Sequence, residues 1–223
     1  MNLYPIMLRL GQKRAVVVGG GPVAVRKVRD LLECGAIVTV IAPEIHGSMN
    51  NLLALFPDRI TINKRCYNHG DCEGAFIVFS ATDDHETNRQ VSQEALEKNI
   101  IMNAVDDPEN CSFIVPSWFD KNGVIIAVST SGKSPAFAAR LRREIEKTLP
   151  ESIENMLAAL EETRRLLKID PEFKDMTPQQ RGHLLTQIVN NNDLLAELNT
   201  YFTTNTLKAF LRNIRSNDSE PLK

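Results

Sequence analysis

Two loops in this chain carry residue types that could hold an anion. The first is Gly19-Gly20-Gly21-Pro22-Val23-Ala24, which fits the pattern G-x-G-x-x-G/A. Gly19 would permit a tight turn, Gly21 would let backbone N–H groups approach a pyrophosphate, and Ala24 would let a helix pack closely on a strand. Pro22 is compatible with that role, because the first helical position has no intrahelical N–H bond to lose. The second loop is Ala127–Pro135, AVSTSGKSP, a loose match to a nucleotide-triphosphate loop. A triphosphate loop feeds a fold in which a later strand ends in a metal-binding Asp. Residues beyond 135 carry no strand signal, and the loop is not in the first strand-to-helix turn. Ser134 suits a helix N-cap and Pro135 a first helical residue. The loop Ser129-Thr130-Ser131-Gly132-Lys133 would then bring hydroxyls and N–H groups to a helix N-terminus, where each contact favours an anion by roughly 0.3–1 kcal/mol. Arg140, Arg142 and Arg143 follow. An anionic substrate such as a polycarboxylate is one reading. A capped helix with a solvated basic face is the other.

Three acidic positions fall where strand ends are expected. Glu44 could bind a ribose 2′-OH and repel a 2′-phosphate, which favours NAD over NADP, although Arg14 or Lys64 could come close enough to oppose that preference. Thr82 and Asp83 end another strand and could touch the cofactor; Asp84 beside them could equally be a plain helix N-cap. Asp106, in Asn103-Ala-Val-Asp106-Asp107-Pro108, would lie in the crevice outside the strands, where a carboxylate can act as general base. Asp-Asp-Pro is also a strong turn signal. Cys66 and His69 form a lone C-x-x-H with no second half, and no metal site is expected.

These positions need elements to hold them. Arg14–Val18 reads as a strand, Val23, Val25, Val28, Leu31 and Leu32 as a helix stopped by Gly35, and Ile37–Ile41 as a second strand. That is a βαβ unit, and its β-branched runs suit a parallel sheet buried on both faces. Further strands are expected over 60–62, 75–79 and 100–103, with a helix over 84–98. The sheet is expected to end near residue 112. Cys111–Val115 and Val124–Val128 then form an antiparallel pair across the turn Asp120-Lys-Asn-Gly123. Helical spacing covers 136–149, 151–169 and 178–212, followed by a polar tail. The fold class is α/β with a Rossmann-type parallel sheet, a small antiparallel element and C-terminal helices.

With 223 residues, 43% hydrophobic and 24% charged, the composition is that of a globular chain, and the net charge of −2 argues against a protein that coats nucleic acid. No window approaches 18 uninterrupted apolar residues and the start lacks a secretory pattern, so no membrane partner is expected. Four cysteines without a C-x-x-C pair suit a reducing, cytoplasmic setting.

The stretches YPIMLRL, VVVGGGPVAVRKVRDLLECGAIVTVIAPE, ATDD, NAVDDPENCSFIVPS and VSTSGKSP together resemble the precorrin-2 dehydrogenase family, which includes the N-terminal half of siroheme synthases. The resemblance covers residues 1–150, with a less distinctive continuation. It implies an NAD-binding Rossmann domain over 1–112, a dimerisation element over 113–149 that exchanges strands within a homodimer, and a helical domain over 150–215; the tail over 216–223 is expected to be disordered because it is polar. It implies that Pro22, Val23, Pro43 and Glu44 hold NAD, that Asp106 is the catalytic base, and that Ser129–Gly132 flank the tetrapyrrole. Some relatives carry an acidic residue where this chain has Pro22, which would leave backbone contact there. The implied reaction is NAD-dependent oxidation of precorrin-2 to sirohydrochlorin. The alternatives are an enzyme that also inserts iron(II), with Asp106 serving again, and an NAD(H)-sensing module without turnover.

Overall fold

The computed structural model describes residues 3–105 and 107–217. The chain forms two compact units that part between Val115 and Pro116.

The first unit is built on strands β1 (Arg14–Val18), β2 (Ile37–Ile41), β3 (Ile60–Asn63), β4 (Ile77–Ser80) and β5 (Ile101–Ala104), with helices α1 (Pro22–Glu33), α2 (Met49–Leu55) and α3 (His85–Glu97). The sheet order is β3-β2-β1-β4-β5 and every pairing is parallel. Alternate residues of the strands supply two cores. Ala15, Val17, Val38, Val40, Ile77 and Phe79 pack with Val25, Val28 and Leu32 of α1 and Met49 and Leu52 of α2. Val16, Val18, Val78, Met102 and Ala104 pack with Val91 and Ala95 of α3. A sheet covered on both faces is why its strands read as unbroken apolar runs.

The connection from β3 to β4 carries no helix. Its residues are held instead by Glu94 of α3, whose side chain is fully buried. Glu94 accepts from the Tyr67 hydroxyl, from the N–H of Gly70 at 2.8 Å and from the N–H of Cys72 at 3.0 Å. A buried carboxyl group is costly unless donors surround it, and here three do. Burial pushes the Tyr67 phenol far above its ordinary range and the Cys72 thiol up to about 12, so both stay protonated at neutral pH.

The second unit opens with a hairpin, β6 (Ser117–Lys121) and β7 (Val124–Val128), in register Lys121↔Val124. Asn122 and Gly123 form the two-residue turn with φ of 51° and 93°, as a type I′ turn demands. The expected partner of Val124–Val128 was Cys111–Val115, and the structure corrects this. A two-residue turn requires the partner strand to end at Lys121, and Ser112 instead donates its N–H to Met102 of β5 at 2.8 Å. Helices α4 (Pro135–Thr148) and α5 (Ile153–Ile169) follow. The expected helix over 178–212 is three: α6 (Pro178–Asn190), α7 (Asn192–Thr203) and α8 (Leu207–Asn217). Asn191 caps α7 through the N–H groups of Asp193 and Leu194, and Asn205 turns the chain at φ 56°. Leu167, Phe173, Leu184, Ile188, Leu198, Phe210 and Leu211 make this unit's core. Ser216 and Asn217, expected in a disordered tail, belong to α8, and residues 218–223 lie outside the described residues. No helix among the described residues is long and apolar enough to cross a membrane.

Glu94→Ala would strand three donors, two of them buried and one part-buried, each buried one worth about 1–3 kcal/mol. Urea unfolding should show a loss of roughly 3 kcal/mol or more, with Glu94→Gln less damaging. An alanine variant as stable as the parent would refute this account of the β3–β4 connection.

Candidate functional site

The strand order reverses at β1: the chain runs through α1 to β2 on one side and returns at β4 on the other. Loops leaving the carboxyl ends of strands diverge at such a point and leave a crevice. Three of these loops are in close register here. Gly19 has φ 122°, and a Cβ on it would stand 2.1 Å from the carbonyl oxygen of Ala81, the residue after β4. A Cβ on Gly20 would stand 2.0 Å from the carbonyl oxygen of Glu44, beyond β2. The N–H of Gly19 donates to Ile41 at 2.9 Å, and the carbonyl of Gly20 accepts from His46 at 2.8 Å. Both glycines are therefore required by the chain itself.

Gly21 differs. Its φ of −77° suits any residue, and no atom lies within 4 Å of where its Cβ would be. Nothing in the chain needs glycine there. Gly21 is the N-cap of α1, and that helix has no side-chain cap, no acidic residue in its first turn, and Pro22 at its start. The N–H groups of the first turn and the helix dipole are thus available to an anion. A pyrophosphate fits these residues. Pro22 is exposed and Val23 half-buried beside Gly21, and Pro43 and Glu44 are exposed on the loop packed against Gly20.

Of the two cations that could have opposed a preference for NAD, Arg14 is engaged elsewhere. It starts β1, at the opposite end of the sheet, and donates to the carbonyls of Glu73 and, at 3.1 Å, Asp71. Lys64 is exposed directly after β3.

The loop after β4 is fixed from beneath. Ser80 Oγ donates to Asn88 Oδ1 at 2.5 Å, and Asn88 Nδ2 donates to the Thr82 carbonyl at 3.0 Å. Both side chains are buried. The Thr82 hydroxyl accepts from the N–H of Asp84 at 3.2 Å, while Asp83 is exposed. Asp84 takes the structural role left open for it, capping α3 through the N–H groups of Glu86 and Thr87. The Thr87 hydroxyl, 2.5 Å away, and those N–H groups hold its carboxyl below the usual carboxylate range.

Asp106, the expected base, lies outside the described residues. The backbone leading to it leaves the carboxyl end of β5 beside β4: the N–H of Val105 donates to Ser80 at 2.9 Å.

The Ser129–Lys133 loop belongs to the second unit. Ser131 and Gly132 have φ of 54° and 83°. Ser129 Oγ accepts from the Ser131 N–H at 3.1 Å, and Thr130 Oγ1 accepts from the Ser134 N–H at 3.0 Å. Ser134 caps α4 through Phe137 at 3.3 Å, and Pro135 opens that helix. Two hydroxyls are thus used in shaping the loop, while Ser131, Gly132 and Lys133 are exposed. Arg140 and Arg142 pair with Glu144 and Glu146 four residues on, at 2.8 and 2.7 Å; Arg143 is exposed.

Sequence reasoning missed Gly20, Asn88 and Glu94. A signal existed for two of them. Asn88 and Glu94 fall on the α3 face that carries Val91 and Ala95, and a polar residue at a core position must have partners. Cys66 is exposed, and His69 Nδ1 lies 3.8 Å from Glu94. Among the described residues no group of three or more His, Cys, Asp or Glu is placed to hold a metal ion.

Fold and crevice define a doubly wound dinucleotide-binding protein. Residues 6–117 match the model of a family described as NAD(P)-binding, and the chain belongs to that family. Residues 126–148 match a second model, described as sirohaem biosynthesis protein central. The chain is similar to the siroheme synthase of Methylobacillus flagellatus, 41% identical over 75% of this chain and 36% of that protein. It is also similar to that of Thioalkalivibrio sulfidiphilus, 40% identical over 81% and 36%. It thus spans about a third of the length of these relatives. Among solved structures, SirC, a precorrin-2 dehydrogenase, shares the fold: TM-score 0.74 at 23% identity, over 96% of this chain and all of that one. The resemblance read from the sequence is borne out.

Two substitutions separate the glycine roles. Gly20→Ala meets backbone and should destabilise by on the order of 1–3 kcal/mol. Gly21→Val should leave thermal stability nearly unchanged yet weaken NAD binding by about tenfold or more, roughly 1.4 kcal/mol. Titration calorimetry reads the second; undiminished affinity would remove Gly21 from the site.

Proposed function

We propose that the chain oxidises precorrin-2 to sirohydrochlorin with NAD as hydride acceptor. The observation that carries this reading is the joining, in one chain, of an NAD(P)-binding unit and a segment matching a sirohaem biosynthesis model. Siroheme synthases as relatives and the fold shared with SirC support it.

In this reading Gly19, Gly21, Pro22 and Val23 hold the pyrophosphate, the first as the turn, the others at the uncapped start of α1. Pro43 and Glu44 flank the adenosine ribose, where a carboxylate accepts from a 2′-OH and repels a 2′-phosphate. Thr82 and Asp83 border the cofactor across the crevice. NAD supplies the hydride acceptor. Asp106 takes the proton released as precorrin-2 gives up its hydride, so the products are sirohydrochlorin, NADH and a proton. Ser129, Thr130, Ser131, Gly132 and Lys133 border the substrate: the exposed ammonium group of Lys133 suits carboxylates. The domain plan is a Rossmann domain over 1–112, a dimerisation element over 113–149 and a helical domain over 150–215, acting as a cytoplasmic homodimer. The hairpin supports that assembly, since each of its strands has one partner among the described residues. The relatives' name favours a second step, iron(II) insertion, with the metal as substrate.

Mixed with precorrin-2 and NAD, the protein should generate NADH; Asp106→Ala should abolish turnover while NAD still binds. Full turnover by that variant would end the base assignment, and NAD binding without turnover by the parent would favour a sensor. Sedimentation should give twice the chain mass; a monomer would sink the assembly.

A further inference from the structure

Lys27 stands on the flank of α1 that looks toward β4. Val23 and Asp30 share that flank at helical spacing, and all three are half-buried. The Lys27 ammonium group lies 5.6 Å from the centre of the Phe79 ring, within cation–π range. Phe79 is the last residue but one of β4, so the charge lies near the carboxyl end of a strand that borders the crevice. Phe113 holds the ring, edge to face at 5.5 Å. Phe113 is in turn tied to β5 by Asn103, whose Nδ2 donates to its carbonyl at 3.0 Å. Asp30 is the carboxylate that α1 itself offers this lysine, yet the two form no ion pair. The Cα–Cβ bonds of a helix tilt toward its N-terminus, so Lys27 reaches back toward the start of α1 and leaves Asp30 behind it. Burial pushes the lysine below its ordinary range and the aspartate above its own, and in each this outweighs the attraction of the other. Other half-buried cations are matched with oxygen: Arg142 with Glu146 at 2.7 Å, Lys121 with Glu151 at 2.9 Å, and Arg59 with the Leu32 carbonyl at 2.9 Å. Arg59 makes that bond while also lying over a ring, 4.8 Å from the centre of Phe56. Among the described residues the Lys27 ammonium has no hydrogen-bond or ion-pair partner. A partly desolvated charge with three unused donors is left over an aromatic face.

We propose that Lys27 is a substrate-binding residue: its ammonium group takes a carboxylate of the tetrapyrrole beside the carboxyl end of β4. The inference rests on the reading of precorrin-2 as substrate. The dinucleotide has its own anion site at the uncapped start of α1, where Gly21 lies about 9 Å along the helix axis from Lys27 at 1.5 Å per residue. Its oxidised nicotinamide ring is itself cationic and brings no counter-charge. A carboxylate does, and it gains a charge-assisted hydrogen bond in a partly dried place.

The test compares Lys27→Met and Lys27→Arg with the parent as full chains. Methionine keeps an unbranched stem over Phe79 and removes the charge. In that variant KM for precorrin-2, and Kd for sirohydrochlorin read by absorbance titration, should rise by roughly 10- to 100-fold. Its Kd for NAD and its Tm should match the parent. Lys27→Arg keeps a cation that stacks on an aromatic face and should recover most of the loss. Should the methionine variant fail to fold, Lys27→Gln must show the same rise. Parental sirohydrochlorin affinity in the methionine or glutamine variant overturns the proposal. So does an NAD affinity that falls in step, which would give the cation to the dinucleotide. If the parent binds sirohydrochlorin but makes no NADH from precorrin-2, the proposed oxidation fails, while weakened binding in the methionine variant still upholds the Lys27 contact. If the parent binds no tetrapyrrole, both fail.

Discussion

The first unit depends on a lack of space. At Gly19 and Gly20 the backbone of the loop after β1 runs so close to the carbonyls of Ala81 and Glu44 that a single methyl group would overlap them. Three loops from three strands are thereby locked into one arrangement, and the hydrogen bonds of Gly19 to Ile41 and of His46 to Gly20 complete it. Close backbone approach of this kind costs conformational entropy in the unfolded chain, and the buried β-branched strands beneath offset it. Gly21 sits one residue further on, in open space, at the end of a helix that nothing caps. The tight part of the loop answers to the packing of the chain itself; the open part does not.

The two loops singled out by chemistry use their polar groups differently. The glycine loop has no side-chain donors and offers backbone N–H groups. The Ser129–Lys133 loop has four hydroxyl and amine side chains, and spends part of that set on its own shape: Ser129 and Thr130 hold the left-handed turn at Ser131 and Gly132. The same division appears at the end of β4, where Asn88 and Ser80 are consumed in fixing the backbone of Thr82 while Asp83 is exposed. Buried polar side chains that touch no ligand set the positions of the exposed groups that could.

The parallel sheet and α1 were legible because their period and their stops agree: unbroken Val and Ile runs for a sheet covered on both faces, a 3.6-residue spacing for α1, glycines at the joints. The failures share a physical cause. Cys111–Val115 is as apolar as a strand, yet it lies beside β5 through side-chain and single backbone contacts without joining the sheet, and composition does not distinguish the two. The hairpin turn itself was readable, but the position of Ser117–Lys121 follows from its two-residue length, which outranks apolar content. α6, α7 and α8 looked like one helix because their apolar spacing continues across Asn191 and Asn205; the breaks come from caps and a left-handed residue, local chemistry that a periodic pattern does not register. Asn88 and Glu94 were legible only as anomalies on an apolar face.

The connection held by Glu94 bears on how this unit opens. The carboxyl group comes from α3, and its donors come from residues 67–72, more than twenty positions earlier. Neither side can be exposed without leaving the other unsatisfied in the interior. The β3–β4 segment and α3 thus behave as one cooperative unit, although one is a helix and the other a loop. Its amide hydrogens at Gly70 and Cys72 would exchange with solvent on the timescale of helix detachment, not on that of an ordinary loop.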